Sequence, residues 1–285
     1  MLNTSQGQGQ ATARVGLIGA KGRMGKSIAT ELWSLQQAGS GPSLAGLAVR
    51  AGDGLIGQPA SDALGLAGCD AVSMSTLAAL PDGLDVLIDF SSAAALADNL
   101  AFAREKQLPI LIGTTGLDDQ ALSAIDAAAA DIPVILAANT SLGINLLLDT
   151  VARLSATLPA DLADIEIVEM HHGGKRDAPS GTALALGEAA AAGRGRSLAE
   201  IQKLSREGDT GIRPDGQIGF ATLRGGDVAG EHTVIFATAG ERIELTHRCT
   251  DRAVFARGAV RAAVWLAAKR GQPGRYTMSD VLGLV

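Results

Sequence analysis

Aromatic residues are scarce in this chain: Phe, Trp and Tyr make up 3% of its 285 residues, so a core has to be built from Ala, Val, Leu and Ile. Basic residues are also outnumbered. Lys and Arg total 24 against 30 Asp and Glu, a net charge of -6, and no basic stripe stands out, which argues against nucleic acid as a partner. Cys69 and Cys249 are too few and too far apart for a disulfide framework or a zinc site, so no metal is expected and the cytosol is the default compartment. No apolar run reaches the ~20 residues that a membrane span needs, so a membrane partner is not expected either. The opening "MLNTSQGQGQAT" lacks the apolar segment of a signal peptide and reads as a frayed tail over 1–12. No repeat of fixed period is visible. What remains, 47% hydrophobic and 19% charged, is the balance of a globular chain long enough for two domains.

The first half alternates strand and helix patterns. "ARVGLIG" is a short apolar strand, followed by a helical pattern through Ile28, Leu32 and Leu35. "SLAGLAVR", "LDVLIDFSS", "LPILIGTTG" and "IPVILAANTS" are further strands, with helices expected from about Ala93 to Lys106 and from near Asp118. Such alternation implies a parallel, doubly wound sheet with right-handed crossovers. After about Ser141 the pattern changes. "GINLLLDTVARLSATL" is a helix, "ADIEIVEMHH" an alternating strand and "TALALGEAAAAG" a short helix. Arg194 to Gln217 is polar, Gly-rich and mostly irregular. "IGFATLRGG", "EHTVIFATAG" and "ERIELTHRCT" read as successive antiparallel strands, the last two joined at Ala239-Gly240, before a helix from about Ala253 to Lys269. The second half is therefore α+β. Hinges are expected near Ser141 and Thr250.

Gly19, Gly22 and Gly25 give a G-x-x-G-x-x-G spacing between a strand and a helix. The helix start offers backbone N–H groups and a positive dipole end, and glycines admit a pyrophosphate close to the backbone. A tight turn without ligand is the alternative. The second strand of a dinucleotide fold usually ends on an acidic residue that holds the ribose. Here it ends on Val49, which accepts nothing, and Arg50, which suits a 2′-phosphate and favours NADPH. Arg50 as a solvated charge, or Asp53 turned inward to hold NADH, are the alternatives. Gly113, Thr114 and Thr115, and the run from Ala137 to Ser141, fall at strand ends and suit the edge of a carboxamide ring.

"HHGGKRDAPSGT" gathers two of the four histidines with Lys175 and Arg176. On its strand Ile165, Ile167, Glu169 and His171 share one face, and Glu166, Val168, Met170 and His172 the other, so the adjacent histidines diverge and do not share a metal. Ser180 is a plausible N-cap, and Gly181 and Thr182 open a helix whose N–H groups suit a carboxylate. With His171, His172 and Lys175 this makes a positive basin for a small carboxylate-bearing substrate, and a protonated histidine or lysine there serves reduction chemistry. Arg176 reads as a solvated charge or one acting behind the contacting groups. One packed and one exposed histidine without chemistry is the bland alternative.

"VGLIGAKGRMGKSI", "DFSS", "IGTTGL", "AANTSLGIN", "IEIVEMHHGGKRDAPSGTALALGE", "IGFATLRGGDVAGEHTVIF" and "ERIELTHR" together resemble the 4-hydroxy-tetrahydrodipicolinate reductase (dihydrodipicolinate reductase) family of the diaminopimelate route to lysine, from about Arg14 to the C-terminus. The resemblance implies a Rossmann-type nucleotide domain over 1–141 and 252–285. It implies a smaller α+β substrate and oligomerisation domain over 142–251, with a mixed or antiparallel sheet. It implies Gly19, Ala20, Lys21, Gly22, Arg23 and Met24 at the pyrophosphate of NADPH or NADH, and Arg50 at the adenosine ribose or its phosphate. Gly113, Thr114, Thr115, Ala137, Ala138, Asn139 and Thr140 would lie along the nicotinamide. His171 would be the general acid/base and Lys175 the proton donor, with His172, Gly181 and Thr182 on the carboxylates of a cyclic imine. It also implies a homotetramer in which the segment Arg194 to Gln217 reaches across subunits. Val49 departs from the acidic residue many members carry, which weighs against NADH, and Gly173-Gly174 replace bulkier residues. Two other readings stand beside this one: an amino-dicarboxylate dehydrogenase of similar layout, and a non-catalytic NAD(P)H sensor.

Overall fold

The computed structural model describes residues 12–39 and 41–284, and the expected tail over 1–12 lies, but for its last residue, outside them. The strands are β1 (Arg14–Ile18), β2 (Ser43–Ala48), β3 (Met74–Ser75), β4 (Val86–Asp89), β5 (Ile110–Ile112), β6 (Pro133–Leu136), β7 (Asp164–His171), β8 (Gln202–Lys203), β9 (Ile218–Arg224), β10 (Gly230–Thr238), β11 (Glu241–Cys249) and β12 (Gly274–Tyr276). The helices are α1 (Arg23–Gln37), α2 (Ala60–Leu64), α3 (Leu96–Glu105), α4 (Asp119–Ala129), α5 (Leu142–Thr157), α6 (Gly181–Gly193), α7 (Leu198–Ile201), α8 (Ala253–Ala267) and α9 (Met278–Leu282).

The chain forms two units, the described residues through Ala138 with Ala256–Thr277, and Asn139–Phe255 with the described residues from Met278 onward. The divisions fall after Ala138 and after Phe255, so that one part of each unit precedes the other in the chain. At the C-terminus α9 groups with the second unit rather than with a domain running to 285. Its physical reason is local: α9 lies along α5, and Arg153 Nη2 donates to the Leu284 carbonyl at 2.8 Å.

In the first unit seven strands run parallel in the order β3-β2-β1-β4-β5-β6-β12. The order reverses between β1 and β4, and in such sheets ligands sit outside the carboxyl ends of the strands at that switch point. The strands are continuous apolar runs because both faces are covered: Val15, Leu17, Leu47, Leu87, Ile110 and Val134 have no exposure. β3 and β12, two and three residues long, are too short to leave a periodic signature. Helix α4 starts where expected because the Asp118 carboxylate accepts the Ala121 N–H.

In the second unit the sheet order is β11-β10-β7-β9-β8. β10 and β11 form the expected antiparallel hairpin, Thr238 opposite Glu241. The expectation that β9 continues that antiparallel run is corrected: β9 pairs parallel to β7, and β7 separates it from β10. The reason is α6, which lies between β7 and β9 in the chain. A helix crossing over one sheet face returns the chain in the direction it left. The core packs α5 and α6 on this sheet through Val151, Leu186, Ile165, Ile167, Val234 and Phe236. Among the described residues no helix is long and apolar enough to cross a membrane.

Candidate active site

The glycine turn after β1 is dictated by sterics. Gly19 has φ +80° and donates its N–H to the Ala48 carbonyl at 2.9 Å, and a Cβ there would stand 2.5 Å from the Phe90 carbonyl oxygen. A Cβ on Gly25 would overlap the Gly19 carbonyl oxygen. Only this pair of residues without side chains lets α1 start so close to β1. Helix α1 begins at Gly22 with no side-chain cap and no acidic residue in its first turn, while Arg23 and Lys26 are exposed there. Its dipole end is thus left open to an anion. Ala20 is fully buried and Met24 half-buried.

A concavity of ≈ 340 Å³ opens beside this turn, lined by Gly19, Lys21, Gly22, Arg50, Asp53 and Phe90 among others. Val49 is buried and Arg50 is exposed. Asp53 is not a free acceptor. The Leu55 N–H and the Lys21 ammonium, each 3.1 Å away, hold its carboxyl below the usual carboxylate range. Next to the turn Asp89 is fully buried, and burial pushes its carboxyl up. It accepts from Asn99 Nδ2 and the Ser91 N–H, each at 2.9 Å, and so shapes the "DFSS" turn.

At the end of β5, Gly113 leaves room for the Phe90 ring, Thr114 is buried and Thr115 is exposed. The Thr114 hydroxyl has no hydrogen-bond partner among the described residues. Ala137 is buried and Ala138 exposed. Asn139 and Thr140 open the second unit, and both are engaged there. Asn139 Nδ2 donates to Thr182 Oγ1 at 3.3 Å, and Thr140 Oγ1 donates to the Phe255 carbonyl at 2.7 Å.

β7 alternates as its sequence requires, with Ile165, Ile167, Glu169 and His171 all buried on the face covered by helices. His172 points the other way and is half-buried. His171 Nδ1 lies 2.6 Å from Glu169 Oε2. The approach is off-line for a hydrogen bond and neither atom has a hydrogen-bond partner among the described residues, so a carboxylate oxygen faces a ring nitrogen whose protonated form it favours. The other carboxylate oxygen, Oε1, accepts from the Ser180 N–H at 2.9 Å, Arg224 Nη2 at 3.2 Å and Thr222 Oγ1 at 3.3 Å. Burial alone would raise Glu169; the Ser180 donors, Arg224 and His171 outweigh it and hold the carboxyl low. Burial pushes the His171 imidazole down, with Lys175 and Arg224 adding to the effect and Glu169 opposing it. His232 meets His171 edge to face, ring centroids 5.1 Å apart, and burial pushes it down to about 4.

Ser180 caps α6 as its position suggests: its Oγ accepts the Ala183 N–H at 3.1 Å and stands 3.1 Å from His232 Nε2. Gly181 and Thr182 follow at the helix start, exposed and half-buried respectively. Lys175 is half-buried and pairs with Asp177 at 2.9 Å, which holds the Asp177 carboxyl low. Arg176 is exposed. Arg224 Nη2 also donates to the Asp177 carbonyl at 2.6 Å, tying this loop to the sheet.

Glu169, His171 and His232 bring ligand-type atoms within 4.8 Å of one another. Two ligands of one tetrahedral zinc stand about 3.3 Å apart. Oε2 and Nδ1 are closer than that, and Arg224 adds positive charge to the same carboxylate. The group is chemically a carboxylate–imidazole pair beside a second histidine that burial pushes down.

The second unit thus gathers His171, Lys175, Gly181, Thr182 and Asn139 with groups that lie inside the motifs but carry no expected role: Glu169, Asp177, Arg224 and His232. One signal for them exists. Glu169 and His232 occupy the apolar phase of alternating strands, where an ionisable residue needs a partner.

Known proteins share this arrangement of sequence. The family model described as dihydrodipicolinate reductase, N-terminus, matches residues 13–140, and that described as dihydrodipicolinate reductase, C-terminus, matches 143–282. A 4-hydroxy-tetrahydrodipicolinate reductase of Zymomonas mobilis subsp. mobilis is 50% identical over 275 residues, 96% of this chain and 99% of that protein. One of Hahella chejuensis is 46% identical over 271 residues, 95% and 99% of the two chains. A solved dipicolinate-bound dihydrodipicolinate reductase from Paenisporosarcina sp. TG-14 shares the fold, with TM-score 0.71 at 22% identity over 94% of this chain and 98% of that one. With both family models matched and half of 275 aligned residues shared with a relative covered over 99% of its length, this chain belongs to the dihydrodipicolinate reductase family.

Proposed function

We propose that this protein reduces 4-hydroxy-tetrahydrodipicolinate to tetrahydrodipicolinate with NAD(P)H in the diaminopimelate route to lysine. One NAD(P)H and one proton are consumed, and NAD(P)⁺ and water are released. The observation that carries the reading is the cluster at the end of β7, where His171 is set on a buried carboxylate beside the start of α6 and the Lys175–Asp177 pair. The relatives named as this reductase match along nearly their whole length.

The nicotinamide cofactor, when bound, supplies the hydride. Gly19, Ala20, Lys21, Gly22, Arg23 and Met24 hold the pyrophosphate at the open start of α1. The buried, unpartnered Thr114 hydroxyl fits a carboxamide, with Gly113, Thr115, Ala137, Ala138, Asn139 and Thr140 as the other lining residues. Thr140 contributes backbone only, since its hydroxyl is engaged. Gly181 and Thr182 take one substrate carboxylate through helix N–H groups and a hydroxyl, and His172 takes the other. Lys175, an ammonium beside Asp177, donates the proton as electron density reaches the ring nitrogen. His171, kept neutral by burial, relays it.

NADPH is favoured over NADH. Arg50 is exposed in the concavity, Val49 has no acceptor and Asp53 is occupied by Lys21. The active protein is a cytoplasmic homotetramer built through the second unit.

A turnover assay with the imine and NADPH tests the reading. Lys175→Ala is expected to lose 10²–10⁴ in kcat, roughly the range for general-acid catalysis. Arg50→Ala is expected to weaken NADPH more than NADH, and equal losses by titration would remove Arg50 from the phosphate role. Cofactor binding without turnover in the native chain would favour a sensor. Oxidation of an amino acid with NADP⁺, and indifference to the imine, would favour an amino-dicarboxylate dehydrogenase.

A further inference from the structure

We infer that Glu169 is the positioning residue of this site: one buried carboxylate fixes the proton-carrying tautomer of His171 with one oxygen and seats the substrate end of α6 with the other. The inference rests on the roles just proposed for His171, Gly181 and Thr182.

Glu169 is 1% exposed, and its two oxygens face different partners. Oε2 faces His171 Nδ1 at 2.6 Å, which favours the ring proton on that nitrogen and leaves Nε2 bare. Among the described residues nothing hydrogen-bonds Nε2. The residue flanking it is Gly230, where a Cβ would stand 3.0 Å from that nitrogen. Glycine there keeps the working nitrogen uncovered. Oε1 receives the Ser180 N–H, the group immediately before Gly181 and Thr182, and so sets where α6 begins. Arg224 balances the carboxylate and, through the Asp177 carbonyl, holds the loop that carries Lys175. The acid/base ring, the anion-binding helix start and the cationic loop therefore share one anchor.

The charged and titratable groups facing His171 come from every neighbouring element: Glu169 on its own strand, Lys175 in the loop after it, Arg224 on β9 and His232 on β10, with His247 on β11 behind His232. Of these Glu169 alone favours the protonated ring. A carboxylate with only a structural task would be replaced well by an amide, which still accepts from Ser180 and Thr222. One that sets the tautomer would not, because the amide NH2 then faces Nδ1 as a donor and favours the proton on Nε2.

The test combines histidine ¹⁵N NMR with kinetics on the full chain. In the native protein above pH 7 His171 is expected as the Nδ1–H tautomer. In Glu169→Gln that preference is lost and kcat falls at least about tenfold, a modest share of general acid–base catalysis. KM for NADPH stays within about twofold, because the cofactor contacts are elsewhere, and the acidic limb of the kcat profile moves down by roughly half a pH unit or more. Glu169→Asp, which keeps the charge, restores part of kcat. An Nε2–H tautomer in the native protein overturns the inference even if the variants fail to fold, as does an amide variant with unchanged kcat and pH profile. Absence of imine reduction by the native chain would instead defeat the proposed function, and the tautomer would still decide the role of Glu169.

Discussion

His232 is 4% exposed, among Ser180, His171 and Glu169, with its imidazole pushed down to about 4. Its folded-state value lies below the unfolded one, near 6.5, so between the two the unfolded chain binds more protons and stability rises with pH. The contribution is full above about pH 6.5 and is lost as the pH falls toward 4, up to about 3 kcal/mol at 1.36 kcal/mol per unit. Melting temperatures measured from pH 7 to 4 are expected to fall, and to fall less steeply in His232→Asn. Parallel slopes would mean that this ring is not the titrating group. A second residue-scale expectation concerns Gly230. In Gly230→Ala the added methyl crowds His171 Nε2 at 3.0 Å and strains the backbone, so turnover and melting temperature are both expected to fall.

Among the elements, the β1–turn–α1 unit is the most legible from sequence. Apolar strand, spaced glycines and amphipathic helix are all local signals, and each maps onto a local constraint in the structure. Gly25→Ala is expected to cost about 1–3 kcal/mol, the usual range for overpacking, because its methyl would meet backbone that cannot swing aside. Dinucleotide affinity, by fluorescence titration, should fall with it. Alternation on β7 was equally readable, down to the divergence of His171 and His172. The partner of β9 was not. An alternating strand states which face it buries and leaves open which strand it joins, and here a helical crossover decided for β7 over β10.

For the whole molecule, the chain leaves the first unit after Ala138, returns within α8 and ends in the second with α9. Met278 and Val281 are buried, and a buried apolar side chain is worth roughly 1.5–3 kcal/mol. Removing 278–285 is therefore expected to lower the stability of the second unit, read as faster amide exchange along α5. Unchanged protection there would show that α9 is dispensable. What the sequence determined alone was what short-range rules encode: strand and helix phase, the glycine turn, the Ser180 cap, and the residues whose order matches a family. What the tertiary structure decided was which distant groups meet. Glu169 finds Ser180 eleven residues on and Arg224 fifty-five residues on. Such pairings follow from strand order and crossover, which no local pattern carries, and so a carboxylate that reads as one more strand residue becomes the anchor of a site.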